Sequence, residues 1–128
     1  MNKFVILIIL TVLILAGGVV YQKYFRPVEN APIPPSGNVI EIQVHAVENK
    51  WKWNPDTITV KVGDLVRIHL FNEDTYDHGF ALEAFGVNKR VFPKQKTTVE
   101  FIASKKGDFP FYCSVPCGEG HYDQTGHL

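Results

Sequence analysis

An apolar run near the N-terminus most constrains what this chain can fold into. From Phe4 to Tyr21 the sequence reads FVILIILTVLILAGGVVY, eighteen residues without a charged side chain. As an α-helix this run would rise about 27 Å, close to the thickness of a bilayer's hydrocarbon core. We therefore predict an uncleaved transmembrane anchor over residues 1–22. A cleaved secretory signal and a buried core helix are the alternatives, although the apolar core of a signal is usually shorter.

The anchor leaves room for one domain. Residues 23–38 carry four prolines and Gly37, a composition that disfavours helix and sheet, and we predict a semi-rigid linker there. The remaining segment, residues 39–128, has the size of a single domain, so a multi-domain enzyme is excluded. The whole chain balances 13 Lys and Arg against 13 Asp and Glu. This neutral charge predicts no nucleic-acid partner.

The periodicity of residues 39–128 is typical of β-strands. Apolar and polar residues alternate from Ile40 to Ala46, as in a strand buried on one face. No stretch of this segment shows a convincing helical period. We predict an all-β sandwich or barrel, with a hairpin turn at Gly63-Asp64. The further predicted strands are Thr57–Val62, Leu65–Phe71, Thr97–Ile102 and Phe109–Cys113.

Both cysteines lie in one glycine-rich segment near the C-terminus. Cys113, Cys117 and His121 recur every four residues, but the intervening Pro116 and two glycines disfavour a regular helix. A loop that presents thiolates and an imidazole suits copper, zinc or iron better than magnesium or calcium. His78, in the sequence DHGF, is the natural fourth ligand. Buried free thiols, a local disulfide, or a turn histidine without a ligand role at His78 are the alternatives.

These motifs together resemble a known family. The stretch NPDTITVKVGDLV from Asn54, the segment from Asn72 to Phe80, and the C-x-x-x-C-G-x-x-H loop from Cys113 resemble the cupredoxin fold. Within that fold the two-cysteine loop is similar to the binuclear copper (CuA) domain of cytochrome c oxidase subunit II, whereas mononuclear blue-copper proteins have one cysteine there. The single anchor resembles the subunit II of ba3-type oxidases. The resemblance implies a Greek-key β-sandwich with one N-terminal transmembrane helix.

The resemblance also implies a ligand set for two copper ions. Cys113 and Cys117 would bridge both ions as thiolates, and His78 and His121 would each bind one ion. The backbone carbonyl of Val115 would be a weak ligand.

Three departures from the family pattern bear on the site. Gln124 stands where the family has methionine, and Met1 is the one methionine of the chain. An amide oxygen is a harder donor, so we expect Gln124 to favour oxidised copper and lower the reduction potential. Val115 replaces a glutamate that reaches magnesium in many oxidases, so no magnesium link is expected. The sequence ends at Leu128, which predicts a truncated or very short last strand.

The resemblance implies an electron carrier in the plasma membrane, with a single-pass anchor and the copper domain on the extracytoplasmic side. It would take electrons from a cytochrome c or a small cupredoxin and pass them to the catalytic subunit of an oxidase. No nucleophile with a paired base is apparent, so catalysis by this chain alone is not expected.

Trp51 and Trp53 lie either near the electron entry or in the core. We expect His127 to be exposed, and His45 and His69 to be ordinary strand residues.

Three other functions stay open. Gln124 and the early end of the sequence favour a membrane-tethered module for copper handling or sensing, with a mononuclear or altered site. Loss of copper from the site is a second alternative. A dithiol redox module is the third, because Cys113 and Cys117 could pair reversibly, but it leaves both histidines unexplained.

Overall fold

The N-terminal apolar run forms one helix. The structure, a computed structural model, describes residues 2–25 and 34–128. Helix α1 spans Lys3–Tyr24, and the Asn2 side chain caps it by accepting a hydrogen bond from the Phe4 amide at 3.2 Å. The helix is long and apolar enough to cross a membrane, as is a signal sequence near an N-terminus. It ends two residues beyond the predicted boundary at residue 22.

The predicted linker, residues 23–38, is described in part. Residues 26–33, with two of the four linker prolines, lie outside the described residues. From residue 34 onward the chain has no regular structure until the first strand begins at Val39. Ser36 already contacts the β-domain, because its amide donates to the Gly63 carbonyl at 2.7 Å. The contacts of the domain therefore begin inside the predicted linker.

The described residues form eight strands in two four-stranded sheets, which confirms the predicted all-β sandwich. The strands are β1 Val39–Val47, β2 Lys52–Asn54, β3 Leu65–Asn72, β4 His78–Leu82, β5 Val87–Val91, β6 Lys96–Ile102, β7 Pro110–Cys113 and β8 Thr125–His127. One sheet has the order β2-β1-β3-β6 and the other the order β5-β4-β7-β8. β1 and β3 are parallel, and the other described strand pairs are antiparallel. Short 3-10 turns span Glu83–Phe85 and His121–Asp123.

The hydrophobic core lies between the two sheets. β3 shows why the alternation in the sequence works, since Val66, Ile68 and Leu70 are buried while the residues between them are partly exposed. The opposite sheet contributes Phe80 and Phe111, whose ring centroids are 5.1 Å apart. Every residue of β4 is buried. The strand that begins with His78 is therefore held on both faces.

The predicted strand Thr57–Val62 and its hairpin to β3 are wrong. Among the described residues, this segment makes a single bridge, from Thr57 to His127. β3 has no free edge for it, because β1 pairs along one side and β6 along the other. The turn at Gly63, with φ at 96°, is instead bonded to the residue that follows β6, since the Gly63 amide donates to the Ala103 carbonyl at 2.9 Å.

The buried carboxylate of Asp64 should make the stability of the domain depend on pH. Its oxygens accept hydrogen bonds from the Lys61 amide and from the Ser36 hydroxyl, both at 3.0 Å. The Lys61 amide, and then Ser36, hold the pKa of Asp64 below its usual 3.8 despite burial. A depressed pKa in the folded state stabilises the domain above about pH 4, and this stability is lost as the pH falls through the folded value.

Asp64→Asn should therefore lower the melting temperature at pH 7 and reduce the further loss below pH 4. Thermal unfolding of the full chain in mild detergent from pH 7 to pH 3 measures both effects. The matched control is Asp56→Asn, which changes an exposed carboxylate. Equal pH profiles for Asp64→Asn and the unmodified chain would contradict this prediction.

Candidate metal centre

The pairing of β4 with β7 places His78 beside Cys113. The two strands are antiparallel with Phe80 opposite Cys113, and the Cys113 Sγ lies 3.7 Å from the His78 Nδ1. The Gly79 amide also points at this sulfur, at 3.5 Å. A Cβ atom at Gly79 would lie 2.3 Å from the Ser114 Oγ, so only glycine allows so close an approach. One buried strand thus supplies both a histidine and an N–H group to the same thiol.

The segment after β7 folds back and brings the second cysteine to the first. The Sγ atoms of Cys113 and Cys117 are 3.4 Å apart, and both thiols are free. The Cys117 Sγ lies 3.5 Å from the His121 Nδ1. The segment closes where the Cys113 amide donates to the Gln124 carbonyl at 3.0 Å. Each sulfur therefore has one histidine nitrogen and the other sulfur within 3.7 Å.

Two oxygen atoms complete the cluster. The Val115 carbonyl oxygen lies 3.2 Å from the Cys113 Sγ, and the Gln124 Oε1 lies 3.5 Å from the Cys117 Sγ. Gln124 is fully buried, and its Nε2 has no hydrogen-bond partner among the described residues. Each of the six predicted residues contacts at least one other member of the set, and the donor atoms of His78, Cys113 and Cys117 all lie within 4.8 Å of one another. Their role as ligands stays a prediction.

The donor atoms fit a soft metal ion. Two ligands bound at about 2.0 to 2.3 Å to one tetrahedral ion lie roughly 3.3 to 3.8 Å from each other. The S···N separations of 3.7 and 3.5 Å and the S···S separation of 3.4 Å fall within this range. Thiolate and imidazole donors select copper, zinc or iron. His78, Cys113 and Cys117 are also nearly inaccessible to solvent, whereas His121 is partly exposed.

A buried carboxylate, which was not predicted from the sequence, lies behind His78. Asp74 Oδ2 lies 2.7 Å from the His78 Nε2, and its Oδ1 accepts from the Asn49 amide at 2.7 Å. Both Asp74 and His78 are buried. Because Asp74 engages Nε2, the Nδ1 atom that faces the sulfur is the one left for a metal, as in carboxylate–histidine–metal triads. The acidic residue four positions before His78 was the available signal.

The protonation of each thiol in the cluster depends on its buried neighbours. Burial would raise the pKa of Cys113, but hydrogen bonds with His78 and the Gly79 amide lower it to about 6. Burial and the neighbouring Cys113 raise the pKa of Cys117 to about 12. Burial would lower the pKa of His78, but its hydrogen bonds with Cys113 and Asp74 raise it overall. A metal that binds both thiolates must therefore displace at least the Cys117 proton.

The other histidines lie outside the cluster. His127 is exposed, as expected, and its Nδ1 lies 2.9 Å from Asp108 Oδ1. His45 and His69 lie on strands β1 and β3, where they contact Glu73 and Thr98.

The two tryptophans differ in their contacts. The Nε1 of Trp51 donates to the Cys117 carbonyl at 2.9 Å, whereas Trp53 is buried and packs against Phe80.

Sequence comparisons find a matching family and two kinds of similar protein. A family model described as "Cupredoxin-like domain" matches residues 9–125. The chain is 34% identical over 73 residues to the nitrous-oxide reductase of Stutzerimonas stutzeri, a match covering 55% of this chain and 11% of the reductase. It is 26% identical over 85 residues to the cytochrome c oxidase subunit 2 of Thermus thermophilus, covering 66% of this chain and 62% of that protein. The match therefore spans less than two thirds of either relative.

Structural comparison agrees on the fold. The periplasmic domain of subunit II of the cytochrome oxidase of Bradyrhizobium japonicum matches with a TM-score of 0.59 and 23% identity. The match covers 74% of this chain and 84% of that domain. The β-sandwich of this chain is thus a known fold.

Proposed function

This chain belongs to the cupredoxin-like family and is homologous to cytochrome c oxidase subunit II, and from this premise we propose that residues 39–128 hold two copper ions as a CuA-type electron-transfer centre. Residues 1–22 and 23–38 then serve as the membrane anchor and its linker. The proposed ligands are His78, Cys113, Val115, Cys117, His121 and Gln124.

The observation that carries the proposal is the second thiol. A mononuclear centre needs one thiolate, whereas here the two Sγ atoms are 3.4 Å apart and each faces its own histidine nitrogen. This arrangement suits two ions that share both sulfurs, with His78 on one ion and His121 on the other. Zinc would accept the same donor types, but the family is one of copper proteins, which favours copper.

The residues of the chain would hold the centre in one geometry. When bound, two copper ions would supply reversible one-electron chemistry. Asp74 fixes the orientation of His78, and burial of Cys113 and Cys117 keeps water away from the sulfurs. The partly exposed His121 would give an electron partner access to the centre. Rigid ligands need little rearrangement on oxidation or reduction, which favours rapid electron transfer.

The proposed partners follow from the homology to subunit II. A cytochrome c or a small cupredoxin would donate electrons, and the catalytic subunit of a terminal oxidase would accept them. Helix α1 would anchor the chain as a single-pass protein of the plasma membrane, with the copper domain on the extracytoplasmic side. The chain itself would break no substrate bond.

A second candidate function is favoured by Gln124. Its amide oxygen stands at the position where the CuA resemblance predicts a thioether, and a harder donor binds reduced copper less well. A mononuclear site for copper handling or sensing is therefore the alternative. The similarity to nitrous-oxide reductase adds a different electron acceptor as a variant of the first proposal.

Copper stoichiometry tests the proposal directly. We expect the full chain, purified in mild detergent and reconstituted with copper, to bind two ions. Its electron paramagnetic resonance spectrum should show hyperfine splitting by two equivalent copper nuclei. His121→Ala should abolish this spectrum, and the matched control His127→Ala, which removes an exposed histidine, should preserve it. One ion with splitting by a single nucleus would instead support the mononuclear candidate, and absence of stable copper would rule out both.

A further inference from the structure

The turn between β1 and β2 has an unusual backbone. Asn49 and Trp51 have φ values of 56° and 47°, in the left-handed region that large side chains rarely adopt. Such strain persists where surrounding contacts hold it, and it is enriched at functional sites. We propose that this turn, residues 48–51, is a clamp that joins the two ligand-bearing segments of the copper centre, with Trp51 as its positioning residue. The inference rests on the proposed function.

The clamp holds the cysteine segment through the Trp51 indole. Its Nε1 donates to the Cys117 carbonyl at 2.9 Å, a contact that spans 66 positions of sequence. The ring also lies against two glycines. A Cβ atom at Gly118 would lie 3.1 Å from the ring, and one at Gly120 would lie 2.6 Å from the Trp51 Cγ and 2.7 Å from its Cβ. Glycine at position 120 therefore leaves the space that the indole fills.

The same turn holds the other ligand segment through Asp74. The Asn49 amide donates to Asp74 Oδ1 at 2.7 Å, and Asp74 Oδ2 engages the His78 Nε2 at 2.7 Å. The Trp51 ring also stacks on Tyr76, two residues before His78, with centroids 6.5 Å apart. The four-residue turn is thus hydrogen-bonded to the backbone carbonyl of Cys117 and, through the Asp74 carboxylate, to the Nε2 atom of His78.

This arrangement distinguishes positioning from ligation. Trp51 offers no donor atom to a metal and touches the backbone of Cys117, not its sulfur. Its contribution is to fix where the carbonyl of Cys117, and hence the thiolate, lies relative to His78. Loss of that contact should alter the geometry of bound copper and let copper leave faster, while the sandwich stays folded. The aromatic ring alone should not replace the lost N–H group.

A pair of aromatic-to-phenylalanine variants tests the clamp. Trp51→Phe keeps a ring but removes the donor, and Tyr112→Phe is the matched control, because it keeps a ring and removes a hydroxyl that donates to Glu83 Oε1. In the full chain in detergent, Trp51→Phe should release copper to a chelator about tenfold faster, the factor expected for one lost hydrogen bond. Its copper hyperfine splitting should also change. Tyr112→Phe should stay within about twofold of the unmodified chain by the same measure.

A second variant keeps the inference testable if Trp51→Phe folds poorly. Gly120→Ala retains the Trp51 residue, but the added methyl group would overlap the Trp51 ring and push it away from the Cys117 carbonyl. This variant should therefore reproduce the faster copper release and the altered spectrum. The double variant should release copper no faster than Trp51→Phe, because both changes act on one contact. Folded Trp51→Phe and Gly120→Ala proteins with unchanged release rates and spectra would overturn the clamp. An unmodified chain that fails to bind two coppers would overturn the proposed function instead.

Discussion

Replacing Cys117 with serine should reduce bound copper from the proposed two ions per chain to at most one. The Cys117 sulfur is the atom that faces both the other thiol and the second histidine, at 3.4 and 3.5 Å. A serine hydroxyl is a harder donor and is not ionised at neutral pH, so it cannot bridge two copper ions. The remaining Cys113 and His78 form a donor set for a single ion. Copper analysis and electron paramagnetic resonance measure this change, with hyperfine splitting by one nucleus replacing splitting by two.

Ser114→Ala is the matched control for Cys117→Ser. Ser114 lies in the same segment, and its hydroxyl donates to Asn88 Oδ1 at 2.8 Å, away from the sulfurs. This variant should retain two copper ions. In Cys117→Ser, by contrast, the affinity for the second copper ion should fall by more than the 10- to 100-fold that loss of an outer-sphere partner typically causes, since a ligand is removed. A Cys117→Ser protein that still binds two coppers with unchanged spectra would contradict the bridging role of Cys117.

The sequence predicted the strands that carry a clear alternation. β1, β3, β6 and β7 were predicted within one or two residues, because each buries every second side chain against the opposite sheet. β4 was not predicted, because it is buried on both faces and so lacks alternation. β2 and β8 have three residues each, too few for a pattern to appear. Segment 57–62 has a strand-like composition, but the edges of β3 were already taken, which no local pattern reveals.

The residues of the site also include some that the sequence predicted and some that it did not. Cys113, Cys117 and His121 were predicted from the sequence because they lie within nine positions of one another, and His78 was predicted as a fourth ligand from the segment DHGF. Asp74 and Trp51 were not assigned to the site. The roles of both depend on contacts between segments that only the folded chain brings together, from Asn49 to Asp74 and from Trp51 to Cys117. Three of the proposed ligands lie in one short segment, whereas Trp51 reaches that segment from a turn 66 positions away.

Gln124→Met should raise the reduction potential of the copper centre. The Gln124 Oε1 lies 3.5 Å from the Cys117 Sγ inside a fully buried pocket, so a metal bound to that sulfur would meet this oxygen. A thioether is a softer donor than an amide oxygen and stabilises reduced copper. The expected rise is on the order of 60 mV or more, equivalent to a tenfold change in a one-electron equilibrium. Redox titration of the copper-loaded chain, followed by its visible absorption, gives the value.

Stability and a neighbouring variant separate this effect from a general disturbance of the site. The Gln124 Nε2 is buried without a partner among the described residues, so methionine removes an unpaired polar group and should not lower the melting temperature of the metal-free chain. Tyr122→Phe, two positions earlier and 88% exposed, should leave the potential unchanged. If Gln124→Met lowered the potential, or left it unchanged, the amide oxygen would not be a copper ligand. Gln124 would then act as packing beside Cys117, and the difference from the methionine of the family would lie in shape and not in donor chemistry.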